Sequence, residues 1–324
     1  MSRPPADASA APGSGSQISG QMWLLAGVIP VVGYALTTGI LNVYAGRMFQ
    51  SHDPGSVAAI SFSLTAAVFL GLELGPRLRV TFHRARRHLA DVAVLNVTTA
   101  IAWLTVLFSL KYIEPAIVNV ISLALAPVIL ALLGSWVRRS TPVVPGEIAT
   151  SVGIFVLIVV LTWGSFTGET AVGSIGTHRA ALGVTLSVVA GLAVAASIVY
   201  SKRLSEAGFP PRSVMSVRFF VAIAASWVAV AVASHPHVTA ALVPGVNLAL
   251  ISTVVPLYLL QLGIKHAEPI TVSLLVCLGP GFTLALQLLD SRLRVSPLSV
   301  GATLGIMILV ALGVLARHRS TVRV

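Results

Sequence analysis

Lys111, Glu114 and Asn119 enter an otherwise apolar run, K-Y-I-E-P-A-I-V-N-V at 111–120. Lys and Glu three residues apart face each other along one helical turn. The pattern returns as K-H-A-E-P-I-T-V-S-L at 265–274, which sets Lys265, Glu268 and Pro269 on Lys111, Glu114 and Pro115 at an offset of 154 residues. Two kinds of chemistry fit such pairs. Charges at the end of an apolar helix anchor it to a polar boundary, with the proline opening the first turn at no hydrogen-bond cost. Alternatively, the two pairs open and close a path at opposite ends as symmetric gates.

Other polar side chains stand deeper in apolar runs: Tyr34, Asn42, Asn96, Trp103, Asn119, Tyr258 and Gln261. Together they would offer hydrogen bonds and aromatic surface to an organic solute. Singly, each also suits a hydrogen bond between helices. Arg218 lies only a few residues into its run. It either snorkels back to the boundary or serves as counter-charge to an anionic solute or to a carboxylate among the helices. Glu73 has the same boundary position. H-P-H at 235–237 reads as a solvated loop, and the lone Cys277 as a small apolar residue. No H-E-x-x-H, C-x-x-C, G-x-x-x-x-G-K-S/T or dinucleotide fingerprint occurs, so no ATP-driven engine, cofactor or metal site is expected.

What must position these residues is set by solvent. Of 324 residues 56% are apolar and 10% charged, against roughly 25% charged in a soluble domain. Ten apolar segments follow one another at about 22–45, 57–75, 92–110, 114–136, 148–166, 180–200, 214–233, 243–263, 269–289 and 297–316. Each approaches the ~20 residues a helix needs to cross a bilayer. Their length and continuous apolarity predict helices and not barrel strands. Prolines at 30, 127, 256 and 280 fall inside segments and predict kinks. G-x-x-x-G at Gly71–Gly75 and Gly301–Gly305 suits close helix contact, within the chain or in a homodimer.

The offset of 154 carries the fourth segment onto the ninth. Five spans separate the copies, and an odd number turns the second upside down, so the chain is expected to be two inverted five-span halves. Fifteen Lys and Arg fall on the side of the N-terminus and five on the other. The positive-inside bias predicts both termini in the cytoplasm. R-A-R-R-H at 84–88 is the strongest anchor on that side, and a contact for anionic lipid is the other reading. Flanking charge of this kind follows topology, and no nucleic-acid partner is expected.

Ten spans in two halves, L-A-P-V at 125–128 and G-A-T-L-G-I at 301–306 resemble the drug/metabolite transporter superfamily, in its EamA-type ten-span branch. The likeness spans 22–316. It implies a basket of ten helices whose cavity is lined by spans 1, 3, 4, 6, 8 and 9, and an activity of moving amino acids, metabolites or drugs, frequently outwards. Members commonly carry Gly-Glu after span 9, where this chain has Asp290-Ser291. A role for that glutamate is not carried over.

The expected protein is thus an all-α integral membrane protein of ten transmembrane helices in two inverted repeats. Residues 1–21 form a disordered tail, 22–166 and 180–316 the repeats, and 317–324 a basic tail. The expected function is secondary transport, by alternating access, of a small organic metabolite such as an amino acid, amine or drug-like compound. Export across the inner membrane, driven by protons or by exchange, is the expected direction. An organic-anion or sugar-phosphate exchanger using Arg218 is the second reading. A membrane-embedded enzyme, a lipid-handling protein or a structural membrane protein are further ones.

Overall fold

The computed structural model describes residues 24–49, 51–113, 115–132, 145–167, 177–233, 238–288 and 297–322. Glu114, His235, His237, Asp290, Ser291 and the expected tail at 1–21 lie outside them.

Every regular element described is helical. In chain order they are α1 (Ile29–Met48), α2 (Pro54–Leu72), α3 (Pro76–Arg87), α4 (Leu89–Ser109), α5 (Pro115–Leu132), α6 (Pro145–Thr167) and α7 (Thr177–Glu206). There follow α8 (Pro211–Ser216), α9 (Phe220–Val232), α10 (Leu242–Asn247), α11 (Val255–His266), α12 (Pro269–Val276), α13 (Gly279–Leu288) and α14 (Pro297–Val322). Seven of these helices open on proline, which fixes φ in the first turn and lacks only an N–H that has no helical partner there. At α2 the Asp53 carboxylate completes the start by accepting from the Ser56 backbone N–H at 2.8 Å.

Among the described residues, seven helical stretches are long and apolar enough to cross a membrane: Ala26–Ala45, Pro54–Leu72, Leu89–Ser109, His178–Glu206, Pro211–Val232, Leu242–His266 and Pro269–Leu286. Three of the ten expected segments instead meet shorter apolar stretches, Ile117–Leu130, Ile148–Leu161 and Val300–Gly313. The molecule is therefore an all-α, multi-pass membrane protein with seven candidate spans. Its burial pattern agrees. Val152, Val156, Val228 and Ile308 face outwards, while Asn42, Asn96, Asn119 and Arg218 are buried. That is the arrangement hydrocarbon solvent demands, because unpaired polar groups are costly in lipid.

Internal prolines mark irregular backbone. A π-helical turn, Leu24–Val28, precedes Pro30, another, Leu248–Val254, precedes Pro256, and the turn at Cys277–Leu278 precedes Pro280. A proline ring collides with the carbonyl four residues back and withholds its hydrogen bond, so the turn before it must widen or break. Pro127 stays inside α5. There the carbonyl it would have bonded, that of Leu123, accepts instead from the Cys277 thiol at 3.4 Å.

The elements before residue 168 and those after 176 interlock. α4 and α5 pack on α7, α1 packs on α11 and α13, α2 on α9, and α6 on α14. The approach of α1 to α13 depends on Gly39. A Cβ there would stand 2.9 Å from Phe282 Cβ and 3.0 Å from the Thr283 backbone nitrogen.

Candidate functional site

The seventh expected segment is broken. α8 ends at Ser216, α9 begins at Phe220, and Val217, Arg218 and Phe219 between them are not helical. A break frees backbone groups that lipid cannot satisfy. Asn96 on α4 meets both sides of it. Its Nδ2 donates to the Val217 carbonyl at 2.6 Å and to the Val92 carbonyl at 2.9 Å, while its Oδ1 accepts from the Val221 N–H at 3.4 Å. Phe219 stacks on Phe62, centroids 5.9 Å apart, and Phe62 meets Trp103 edge-on at 5.9 Å. One amide and an aromatic wall thus hold the break in shape.

The break delivers Arg218 to a cavity in the middle of the bundle. The cavity, about 60 Å³, is lined by Tyr34, Thr38 and Asn42 of α1, Trp103 of α4, Asn119 of α5, Ser197 of α7 and Arg218. A single water occupies roughly 10–15 Å³ on this measure, so the space suits a small solute and not a large one. Apart from Ser122 of α5, the remainder of the wall is aliphatic, with Leu41, Leu123, Ile198, Leu257, Leu260 and Val276 among it.

Arg218 is 3% exposed. Its Nε donates to Thr99 Oγ1 at 3.0 Å and its Nη2 to Ser197 Oγ at 3.5 Å. Among the described residues Nη1 has no partner, and no carboxylate pairs with this guanidinium. Asn42 Nδ2, also buried, likewise has no partner among the described residues. Desolvating a cation costs several kcal/mol unless a counter-charge or hydrogen bonds compensate it, and two hydroxyls compensate it only in part. Snorkelling is not what this side chain does.

Of the residues singled out from the sequence, Tyr34, Asn42, Trp103, Asn119 and Arg218 come together here. Asn119 Nδ2 also donates to Thr283 Oγ1 of α13 at 2.7 Å. Asn96, Tyr258 and Gln261 stand away from this lining. Tyr258 stacks on Phe69 at 6.0 Å, and Gln261, fully buried, donates to Ser205 Oγ at 3.2 Å. Lys111 and Lys265 are exposed, and Glu268 is the half-buried residue just before α12. The carbonyls of Lys265 and Ala267 accept from Lys202 Nζ at 3.3 and 3.1 Å, tying α7 to the α11–α12 link.

A second polar cluster joins Glu73, legible in the sequence only as a boundary residue, to partners that no local signal indicates. Glu73, at the end of α2, is buried, and its carboxylate accepts from Thr81 Oγ1 at 3.1 Å and from Ser213 Oγ at 3.0 Å. Arg212 Nε stands 2.9 Å from Glu73 Oε1, although its N–H is not aligned on that oxygen, so the pair is an ion contact and not a good hydrogen bond. Beside it, Arg84 donates to the Gly208 carbonyl at 2.9 Å. The α2–α3 corner is thereby latched to α8, the short helix that leads into the break.

These features define a class: a multi-pass all-α membrane protein with a small cavity among its helices. Among solved structures, a crystal structure of a protein 16% identical in sequence matches it with a TM-score of 0.65, over 89% of this chain and 96% of the other. At that identity the likeness is one of fold. No model of a known protein family matches the chain, and no curated protein does.

Proposed function

We propose that the chain is a ten-span secondary transporter of the EamA type, two inverted five-span halves that carry a small organic solute through the central cavity by alternating access. One observation carries the reading. Leu123 and Cys277 are equivalent under the 154-residue offset, and they touch each other beside the cavity. Equivalent residues of an inverted pair meet only near the axis that relates the halves, which is where such carriers bind their solute. The packing supports the same symmetry. A shift of five spans turns the α4–α7 contact into α11–α1 and the α5–α7 contact into α13–α1, and both members of each pair of contacts occur.

On this reading Lys111 with Glu114 and Lys265 with Glu268 stand at opposite rims as gates, with both termini in the cytoplasm of an inner-membrane protein. The solute leaves the cell in exchange for another solute or for an entering proton, and no nucleotide drives the cycle. Proteoliposomes screened for counterflow and pH-driven flux of amino acids, amines, organic acids and sugar phosphates test it. Flux of one class, slowed by Glu114→Gln and Glu268→Gln, is the expected result. Absence of flux across the whole panel, with and without a proton gradient, would sink the proposal.

A further inference from the structure

We infer that the central cavity binds a small monocarboxylate with an apolar body, its carboxylate received by Arg218 Nη1 and Asn42 Nδ2. What becomes of the ligand afterwards rests on the transport reading; the binding chemistry stands on the cavity alone.

Arg218 Nη1 and Asn42 Nδ2, both of the cavity lining, are buried donors with no partner among the described residues. Among the described residues the lining contains no carboxylate. A cationic amine would therefore meet a fixed positive charge and find no opposite one, whereas an anion relieves the buried guanidinium and satisfies both donors at once. Buried donors of this kind are otherwise filled in native proteins, and each needs an explanation where it is not.

Charge and size narrow the class. One guanidinium, already donating through Nε and Nη2 to Thr99 and Ser197, balances one negative charge. A phosphate monoester near neutral pH carries close to two, and the second would be desolvated without a partner. A sugar phosphate also brings several hydroxyls, and opposite them lie Leu41, Ile198, Leu257, Leu260 and Val276. Those side chains suit a short hydrocarbon body. At about 60 Å³ the space accepts few heavy atoms beyond the carboxylate.

The test is a binding titration of the full chain in detergent micelles, read by calorimetry and by the shift in melting temperature. The probes are propionate and isobutyrate, their neutral isosteres propionamide and isobutyramide, isobutylamine, and monoethyl phosphate. The carboxylates are expected to bind and to raise the melting temperature, and the amides and the amine to leave it unchanged. Arg218→Met should abolish carboxylate binding, Arg218→Lys should retain a weakened form of it, and Asn42→Ala should weaken it by about tenfold or more, as loss of a hydrogen bond to a charged group does. Should Arg218→Met fail to fold, the Arg218→Lys and Asn42→Ala titrations still decide. Binding of the amides or the amine as tightly as the carboxylates, tighter binding of the phosphate ester, or undiminished carboxylate binding in Arg218→Met would overturn the inference. Carboxylate binding with no flux in liposomes would uphold it and overturn the transport reading; flux of a neutral or cationic solute without carboxylate binding would do the reverse.

Discussion

The Cys277 thiol shares its hydrogen between the carbonyl of Leu123, at 3.4 Å across the offset that lays K-H-A-E-P on K-Y-I-E-P, and that of Ser273, at 3.2 Å. The Leu123 carbonyl is free because Pro127, four residues on, has no N–H to give it. Cys277 itself sits at the turn that precedes Pro280. Two prolines thus produce two irregular backbones that complete each other at the centre of the bundle.

That relation predicts a coupled pair of substitutions. Cys277→Ala should cost roughly 1 kcal/mol, because a buried carbonyl loses its donor. In a Pro127→Ala background the restored backbone N–H takes the Leu123 carbonyl, and the cost should vanish. Chemical denaturation of the four variants in micelles measures the coupling; equal costs in both backgrounds would refute it.

Asn96 predicts a sharper loss. Asn96→Ala strips partners from the Val217 carbonyl and the Val221 N–H at the helix break, and should destabilise by about 2–4 kcal/mol, as when buried polar groups are orphaned. Asn96→Asp keeps an acceptor for Val221 but gives the Val217 carbonyl no donor, and should lie no closer to wild type than Asn96→Ala. Hydrogen exchange at residues 217–221 reports the opening directly. Unchanged protection there would show that other groups hold the break.

For the latch, the order of two variants is the prediction. Arg212→Ala leaves the buried Glu73 carboxylate with hydroxyl partners only, at a cost of about 1–3 kcal/mol, reduced because Arg212 is half exposed. Glu73→Gln removes the buried charge, keeps an acceptor for one of the two hydroxyls and offers an N–H to the other, which can accept, so it should cost less. Thermal unfolding of both variants checks the order.

Gly39→Ala tests the seam between α1 and α13. The added methyl meets Phe282 Cβ and backbone that has no rotamer to give, so it should cost about 1–3 kcal/mol through overpacking. It should also alter the cavity, since Thr38 and Asn42 on the same helix move with α1. A variant as stable as the parent would mean that α13 yields.

The sequence carried the elements better than the pairings. Apolar runs and helix-opening prolines are local signals, and the helices begin at Pro54, Pro115, Pro211 and Pro269 much as those signals imply. Asn42, Asn119 and Trp103 are large polar or amphipathic side chains in apolar runs, and the price of burying them pointed to a cavity before any geometry was known. Arg218 was harder to place. Counting residues from the end of its run suggests an escape to the headgroups, but the break at 217–219 turns it inwards, and what stabilises that break is Asn96, 121 positions earlier. Glu73 with Arg212, and Arg218 with Thr99, are likewise pairs joined only by folding, and periodicity along one chain says nothing of them.

The central claim is that a solute crosses the bilayer through the cavity that Arg218 lines. Counterflow in proteoliposomes tests it most directly, with labelled solute outside and excess unlabelled solute inside, for the parent chain and for Arg218→Met. The account predicts transient accumulation of label for one class of small organic solute in the parent and none in the variant. Accumulation that persists undiminished in Arg218→Met, or no accumulation of any solute in the parent, would contradict it.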